Sequence, residues 1–487
     1  MANAFVNHIA EEFLASPKRL ILVRNPDGFL RMPEVQKALK AYSIRLCDKQ
    51  GIDLRIDFEL RYKATDQQAD KTVYLISSLE AILEDIASEG EYRVFHLADY
   101  FPEYNFNFIS GCSLSDLNLL FANKPLTNLS KQETENHLAT LRATANSFDL
   151  GAFKQKAEVL LGTIPIDWYQ VIELLSDALV QTVGTAQAEQ VWLVVNQANT
   201  SFQEELSVSF KSSLNSSPIK RPQVVSRILP HLSFKHTKDK IALIVVDGMA
   251  YWQYQLLRDS LEDGLKLEEG VTYSWIPSIT QLSRQAIFRG DAPTSSYEQK
   301  PKNEENLWHS FWKRKGISPT SIRYSHDTVE PIDLDKVTKY ALVFKELDDK
   351  MHSSSDYVDL KSLTENWLAK EKISNAINTL LELGFILFLT TDHGNIQAQG
   401  WRSLKDREKL GTTKTGSRSA RHLGYSDQWL AEDFIKLNAD IAPSVAYDGK
   451  GIYFKDTLSF SNEESLVTHG GSHILEVLIP FVKITHG

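Results

Sequence analysis

Cysteine is nearly absent. Only Cys47 and Cys112 occur in 487 residues. Two thiols cannot build a disulfide framework, and their spacing is no zinc motif, so buried structural thiols are expected. Long apolar runs are missing as well. The longest, 241–246 (IALIVV) and 385–389 (FILFL), are strand-length, against the roughly 20 residues of a membrane helix. The opening MANAFVNHIAEEFLAS mixes acids with apolar residues and lacks the charged start and apolar middle of a secretory signal, which points to the cytoplasm. No internal repeat or low-complexity tract occurs. Positive charge is not in excess either. The net charge of −10 argues against non-specific binding to bulk duplex nucleic acid, though not against a local basic cleft. Lys and Arg do cluster in 401–421 (WRSLKDREKLGTTKTGSRSAR).

What is present is ordinary for a globular chain: 42% hydrophobic and 24% charged residues. At about 150 residues per domain, the length suggests two or three domains. Residues 19–24 (RLILVR) read as a buried strand, 25–28 (NPDG) as a turn and 32–50 as a helix. Further strands are expected at 73–76 and 93–98, giving a small α/β domain over 1–122. Asp27 follows a strand, where open α/β sheets place ligand groups, but the turn alone accounts for it. Stretches 131–148, 151–161 and 168–194 carry apolar residues at helical spacing, so 123–237 is expected to be a helical connector. The Ser- and Lys-containing stretch 207–221, followed by Pro222, marks its boundary.

From about Lys238 the pattern changes. IALIVV at 241–246 is a β-branched run of the kind a central parallel strand needs, and 340–344 (YALVF) and 385–389 repeat it. Each is followed within a few residues by acids or histidine, at the strand ends where α/β folds collect their chemistry. Five segments stand out: VVDGMAYW with Asp247; WIPSITQLSRQAIFRG with Thr280 and Arg284; FKELDDKMH with Asp348 and His352; FLTTDHGN with Asp392 and His393; and VTHGGSHILEVLIPFVKI with His469. Singly they are a turn, a helix cap, a helix-surface pair and capped loops. Jointly they supply three carboxylates and three imidazoles, three side chains for each of two zinc ions with positions left open for substrate. Two metals about 4 Å apart can hold the attacking and leaving oxygens of an in-line displacement. A hydroxyl on one of them is activated for attack on phosphorus. Thr280 precedes a helical stretch whose N-terminus favours negative charge, and Arg284, one turn on, is a candidate phosphate contact.

The order Asp, Thr, Asp-x-x-x-His, Asp-His, His resembles the alkaline-phosphatase superfamily, particularly its nucleotide pyrophosphatase/phosphodiesterase branch. VVDGMAYW, the Ser-x-Thr-x-x-Ser-Arg segment, TTDHGN and THGGSHILEVLIPFV are most similar to the PglZ domain, over about 238–487. The resemblance implies an α/β fold: a central, mostly parallel sheet flanked by helices, beside the smaller N-terminal α/β domain and the helical connector. It implies Thr280 as nucleophile and metal ligand, with Asp247, Asp392 and His393 on the same metal and Asp348, His352 and His469 on the other. It further implies two divalent metals, zinc first with manganese or magnesium as alternatives. A nucleotide or oligonucleotide phosphodiester is the expected substrate. Protein partners in a phage-defence or signalling system are expected, and no membrane. A phosphomonoesterase of the same fold and a scaffold or regulatory subunit are the competing readings. A threonine cannot become formylglycine, which argues against a sulfatase. Asp349 stands beside Asp348 as an alternative ligand. His326 reads as a loop residue and His473 as a packing residue behind the site. Arg418 and Arg421 are further candidate phosphate contacts.

Overall fold

The computed structural model describes residues 4–64, 71–79, 82–145, 148–262, 264–294, 297–329, 334–413, 419–449 and 451–487. The chain forms two compact units, Met1–Ser147 and Phe148–Gly487.

The first unit is a parallel four-stranded sheet, in the order Ile44–Cys47, Lys71–Leu75, Leu20–Arg24, Glu91–Val94. The helix expected over 32–50 is shorter. It spans Pro33–Lys40, the chain turns through Ser43 at φ 58°, and Ile44–Cys47 becomes the edge strand. Asp27 closes its turn. Its carboxylate accepts from Asn25 Nδ2 (2.6 Å) and from the Leu97 amide (2.5 Å).

In the second unit, the strand order is Leu265–Glu268, Leu478–His486, Ile386–Thr391, Ile241–Val246, Lys339–Phe344, Ile322–His326, with Val271–Tyr273 also on Leu478–His486. The four strands from Ile386–Thr391 to Ile322–His326 run parallel, and Leu478–His486 runs antiparallel to its neighbours. Ile241–Val246 is buried along its whole length, as its apolar run requires of a strand covered on both faces. Helices on one face join Trp252, Tyr357 and Trp367 to this core, and Trp308 and Trp312 lie on the other.

The expected connector does not stand apart. Its first helix, Lys131–Ala145, belongs to the N-terminal unit. Its later helices, Leu150–Gly162, Trp168–Thr182 and Ala188–Ser213, bury Phe153, Leu175 and Phe202 respectively in the same core as Ile244 and Leu389. Their apolar faces are wide enough that separate helices would leave them in water.

Candidate metal centre and nucleophile

The site lies where the parallel strands end. Ile241–Val246 delivers Asp247, Lys339–Phe344 leads into the helix Glu346–Ser353 with Asp348 and His352, and Ile386–Thr391 delivers Asp392 and His393. Gly248 turns the first loop at φ 72°, and a Cβ there would stand 3.2 Å from Asp348 Oδ1, so glycine serves both the backbone and the close approach. The two loops are tied together. Asp392 Oδ1 accepts from the amides of Gly248 (3.0 Å) and His393 (3.1 Å), and Asn395 Nδ2 donates to Gly248 O (2.9 Å).

Thr280 is the first residue of the helix Thr280–Arg289, at its positive end. Its hydroxyl lies 2.8 Å from His393 Nε2. The other ring nitrogen, Nδ1, is 2.9 Å from Gly394 O, and His469 Nδ1 is 2.8 Å from Ser278 O. A carbonyl only accepts, so both Nδ1 atoms carry a proton, and in the neutral ring Nε2 is the atom that presents a lone pair. The two rings stack at 3.9 Å.

Two groups of donor atoms lie within 4.8 Å of one another: Asp348, His352 and His469; and Asp247, Asp348 and His393. The first is the trio expected for one metal. The second holds two of the residues expected for the other, with Asp348 serving both groups. Asp392 stands beside it, its Oδ2 at 3.6 Å from His393 Nε2. Asp349, the alternative to Asp348, points outward and is exposed.

Four buried atoms of this set, Asp247 Oδ1, Asp348 Oδ1, His352 Nε2 and Asp392 Oδ2, have no hydrogen-bond partner among the described residues. Asp348 Oδ1 lies 3.4 Å from His352 Nε2 and Asp392 Oδ2 3.6 Å from His393 Nε2, too far for hydrogen bonds. Carboxylates gathered this closely repel one another, and a cation between them relieves that repulsion. Electrostatics agrees. Burial, then the Asp392 charge, pushes the Asp247 carboxyl well above its ordinary range, against the pull of Arg284. Burial works the same way on Asp348, but His352, His469 and His393 outweigh it and hold that carboxyl low. Burial, and next His393, keeps His469 far below the usual imidazole range and therefore neutral. Carboxylate oxygens with neutral imidazole nitrogens are the donor set of a divalent metal, so the residues fit the group.

The arginines are placed differently from the sequence expectation of phosphate contacts. Arg284 is 1% exposed, with Nη1 at 2.6 Å from Asp247 Oδ2 and Nη2 at 2.6 Å from Glu304 Oε2. Arg421 is fully buried against Glu476, with Nη2–Oε2 at 3.1 Å, and donates to the carbonyls of Phe454, Asp456 and Leu458. Arg418 lies outside the described residues. His473 caps the short helix Ile474–Val477 through Nδ1, behind the site. His326 ends a strand, with Nε2 at 2.9 Å from the Tyr324 hydroxyl.

Three supporting residues were missed in the sequence: Glu304, Glu476 and Ser278. Glu476 accepts from the Ser278 hydroxyl (3.1 Å) and the Gly471 and His473 amides (2.8 and 3.2 Å), joining the Thr280 loop to the His469 loop. The signal for Glu304 was available. It shares a helix face with Trp308 and Trp312, where an acid must be buried and paired.

An α/β sheet with carboxylates, imidazoles and a threonine hydroxyl gathered at its parallel strand ends is the arrangement of an alkaline-phosphatase-like phosphoric ester hydrolase. The match to the family model is more specific. Residues 226–484, more than half of the chain, match the BREX system PglZ alkaline phosphatase-like domain, and the chain belongs to this family. No curated protein matches it. Among solved structures, it is similar to murine ectonucleotide pyrophosphatase/phosphodiesterase 5 at 12% identity, over 51% of this chain and 88% of that one, with a TM-score of 0.35. It is also similar to phosphonoacetate hydrolase from Sinorhizobium meliloti 1021 in complex with phosphonoacetate, at 10% identity, over 50% and 90% of the two chains, with a TM-score of 0.33. No helix among the described residues is long and apolar enough to cross a membrane.

Proposed function

We propose that the chain is a two-metal phosphodiesterase that cleaves a nucleotide or oligonucleotide through Thr280, as part of a bacterial phage-defence or signalling system. The observation that carries this is the Thr280 hydroxyl, 2.8 Å from the lone-pair nitrogen of His393 and at a helix N-terminus. Asp247, Asp392 and His393 would hold one metal with Thr280, and Asp348, His352 and His469 the other, with Asp348 close enough to the first group to be shared. Zinc suits these oxygen and nitrogen donors, with manganese or magnesium as alternatives. When bound, divalent cations here lower the pKa of the threonine hydroxyl and neutralise charge on the phosphoryl oxygens.

Thr280 Oγ1 gives up its proton and forms the new bond to phosphorus while the bond to the leaving alcohol breaks and that oxygen takes up a proton. Water then hydrolyses the threonine-bound phosphodiester, which releases the phosphomonoester and restores the hydroxyl. The helix N-terminus supports the charge that develops on the phosphoryl group. His393 Nδ1 and His469 Nδ1, held by backbone carbonyls, keep both rings in the orientation this needs.

A diester is favoured over a monoester by the placement of the arginines. A doubly charged phosphate calls for extra cations, yet Arg284 and Arg421 are both buried and matched by Glu304 and Glu476. The unit Met1–Ser147 is the proposed site of protein partners in such a system. The test is Thr280→Ala assayed on bis- and mono-nitrophenyl phosphate. Loss of diesterase activity with metal content retained is the expected result. Unchanged activity rejects the threonine mechanism, and a preference for the monoester rejects the substrate class.

A further inference from the structure

Arg284 is an odd residue for its place. It sits one turn after Thr280, where a phosphate contact would be useful, yet its guanidinium faces away from solvent and between two acids. Asp247 takes Nη1 with Oδ2, and Glu304 takes Nη2 with Oε2, both at 2.6 Å. Burial works against the charge on Arg284, but the Glu304 and Asp247 carboxylates more than compensate and hold its pKa well above the ordinary value. Glu304 is itself fixed. It is fully buried, and it accepts from the Tyr324 hydroxyl and from Gln299 Nε2.

This geometry has a directional result. One oxygen of Asp247 is committed to Arg284, so the carboxylate cannot rotate freely. Its other oxygen, Oδ1, is buried and without a hydrogen-bond partner among the described residues, and Asp247 belongs to the donor group with Asp348 and His393. A planar guanidinium can bridge two carboxylates in fixed directions, which an ammonium cannot. Glu304 holds the far side of the guanidinium, so Arg284 is fixed between two carboxylates and cannot swing away from Asp247.

We infer that Glu304 is a positioning residue, which acts through Arg284 to aim Asp247 Oδ1 at the metal, and that Arg284 itself is a structural bridge rather than a phosphate ligand. The inference rests on the two-metal reading above. A residue that orients a metal ligand is typically worth about 10–100-fold in metal affinity.

The test is chelator-competition titration of zinc into the metal-stripped full-length protein. Wild type, Glu304→Gln, Asp247→Asn and the double variant are compared, with thermal melts of the metal-free forms alongside. The expected result is that Glu304→Gln weakens one of two sites by about 10–100-fold, leaves the other unchanged, and adds nothing in the Asp247→Asn background. Wild-type affinity in Glu304→Gln overturns the inference, as does a loss that adds in full to that of Asp247→Asn. A wild-type protein that takes up no zinc, manganese or magnesium instead overturns the metal reading, and the inference with it. Should Glu304→Gln fail to fold, Arg284→Lys carries the same test. It keeps the charge but loses the planar bridge, so the same one-site weakening is expected and unchanged affinity overturns the inference.

Discussion

Replacing Arg421 by methionine is the sharpest test of how the site is supported. Arg421 and Glu476 are both fully buried, and their contacts are an ion pair at 3.1 Å and a second hydrogen bond from Nε at 3.2 Å. The same guanidinium donates to three backbone carbonyls, of Phe454, Asp456 and Leu458. Methionine fills much of the volume but leaves the Glu476 carboxylate buried without its cation. Breaking a buried pair from one side costs roughly 3–5 kcal/mol. Glu476 keeps the Gly471 and His473 amides and the Ser278 hydroxyl, which places the cost in the lower half of that range, about 3–4 kcal/mol. At roughly 2 °C per kcal/mol for a large unit, the melting temperature should fall by about 6–8 °C. Calorimetry or circular dichroism of the metal-free protein measures it. Phosphoric ester hydrolase kcat/KM should fall too, because Ser278 O holds His469 and Ser278 is held by Glu476. A shift below about 2 °C, equivalent to about 1 kcal/mol, would refute the assignment of Arg421 as the cation that makes Glu476 tolerable.

Two more outcomes follow from the geometry. Asp348 belongs to both donor groups and His352 to one, so on the proposed two-metal reading Asp348→Ala should lose both metals and His352→Ala only one, counted by mass spectrometry after zinc loading. A single metal retained in Asp348→Ala would show that its carboxylate is not shared. Stability should also depend on pH through His422, whose burial pushes its pKa down to about 4 while Asp448 pulls weakly the other way. The unfolded imidazole titrates near 6.5, roughly, so the unfolded chain binds protons that the folded one refuses. The stability present above about pH 6.5 is therefore lost as the pH falls toward about 4, and His422→Gln should flatten that slope in melts of the metal-free protein. An identical slope in the variant would remove His422 from the account.

The candidate residues Asp247, Asp348, His352, Asp392 and His393 were legible because each follows a strand that announces itself, whereas Thr280 and His469 follow three-residue strands and were legible only from their place in the ordered set. A β-branched run such as Ile241–Val246 has few other fates, and a carboxylate at its end is placed by the strand. The supports were not readable, because Glu and Arg in helices and loops are usually solvated. Nothing in local sequence says that Arg421 meets Glu476, 55 residues on. Arg284 illustrates the same limit. Its spacing from Thr280 placed it on the right helix, but only the tertiary structure brings Glu304 against it. The helix expected over 32–50 failed for a local reason. Ser43 adopts a positive φ, and the short strand Ile44–Cys47 is too brief for its periodicity to compete with the helical one before it.

The strand order of the central sheet sets how it can be assembled. Ile241–Val246 pairs with Lys339–Phe344 and Ile386–Thr391, about 100 and about 145 residues further along, so this strand has no partner nearby in sequence. Pairings this distant pay the loop-closure entropy before any reward and fold slowly. Meanwhile an uninterrupted apolar, β-prone hexamer waits for partners, a segment of the kind that aggregates. Charge brackets it closely: Lys238, Asp239 and Lys240 on one side and Asp247 on the other. Such flanking charges act as gatekeepers against intermolecular pairing. The aspartate at the centre of the folded site thus has an earlier task, in a chain that has not yet folded.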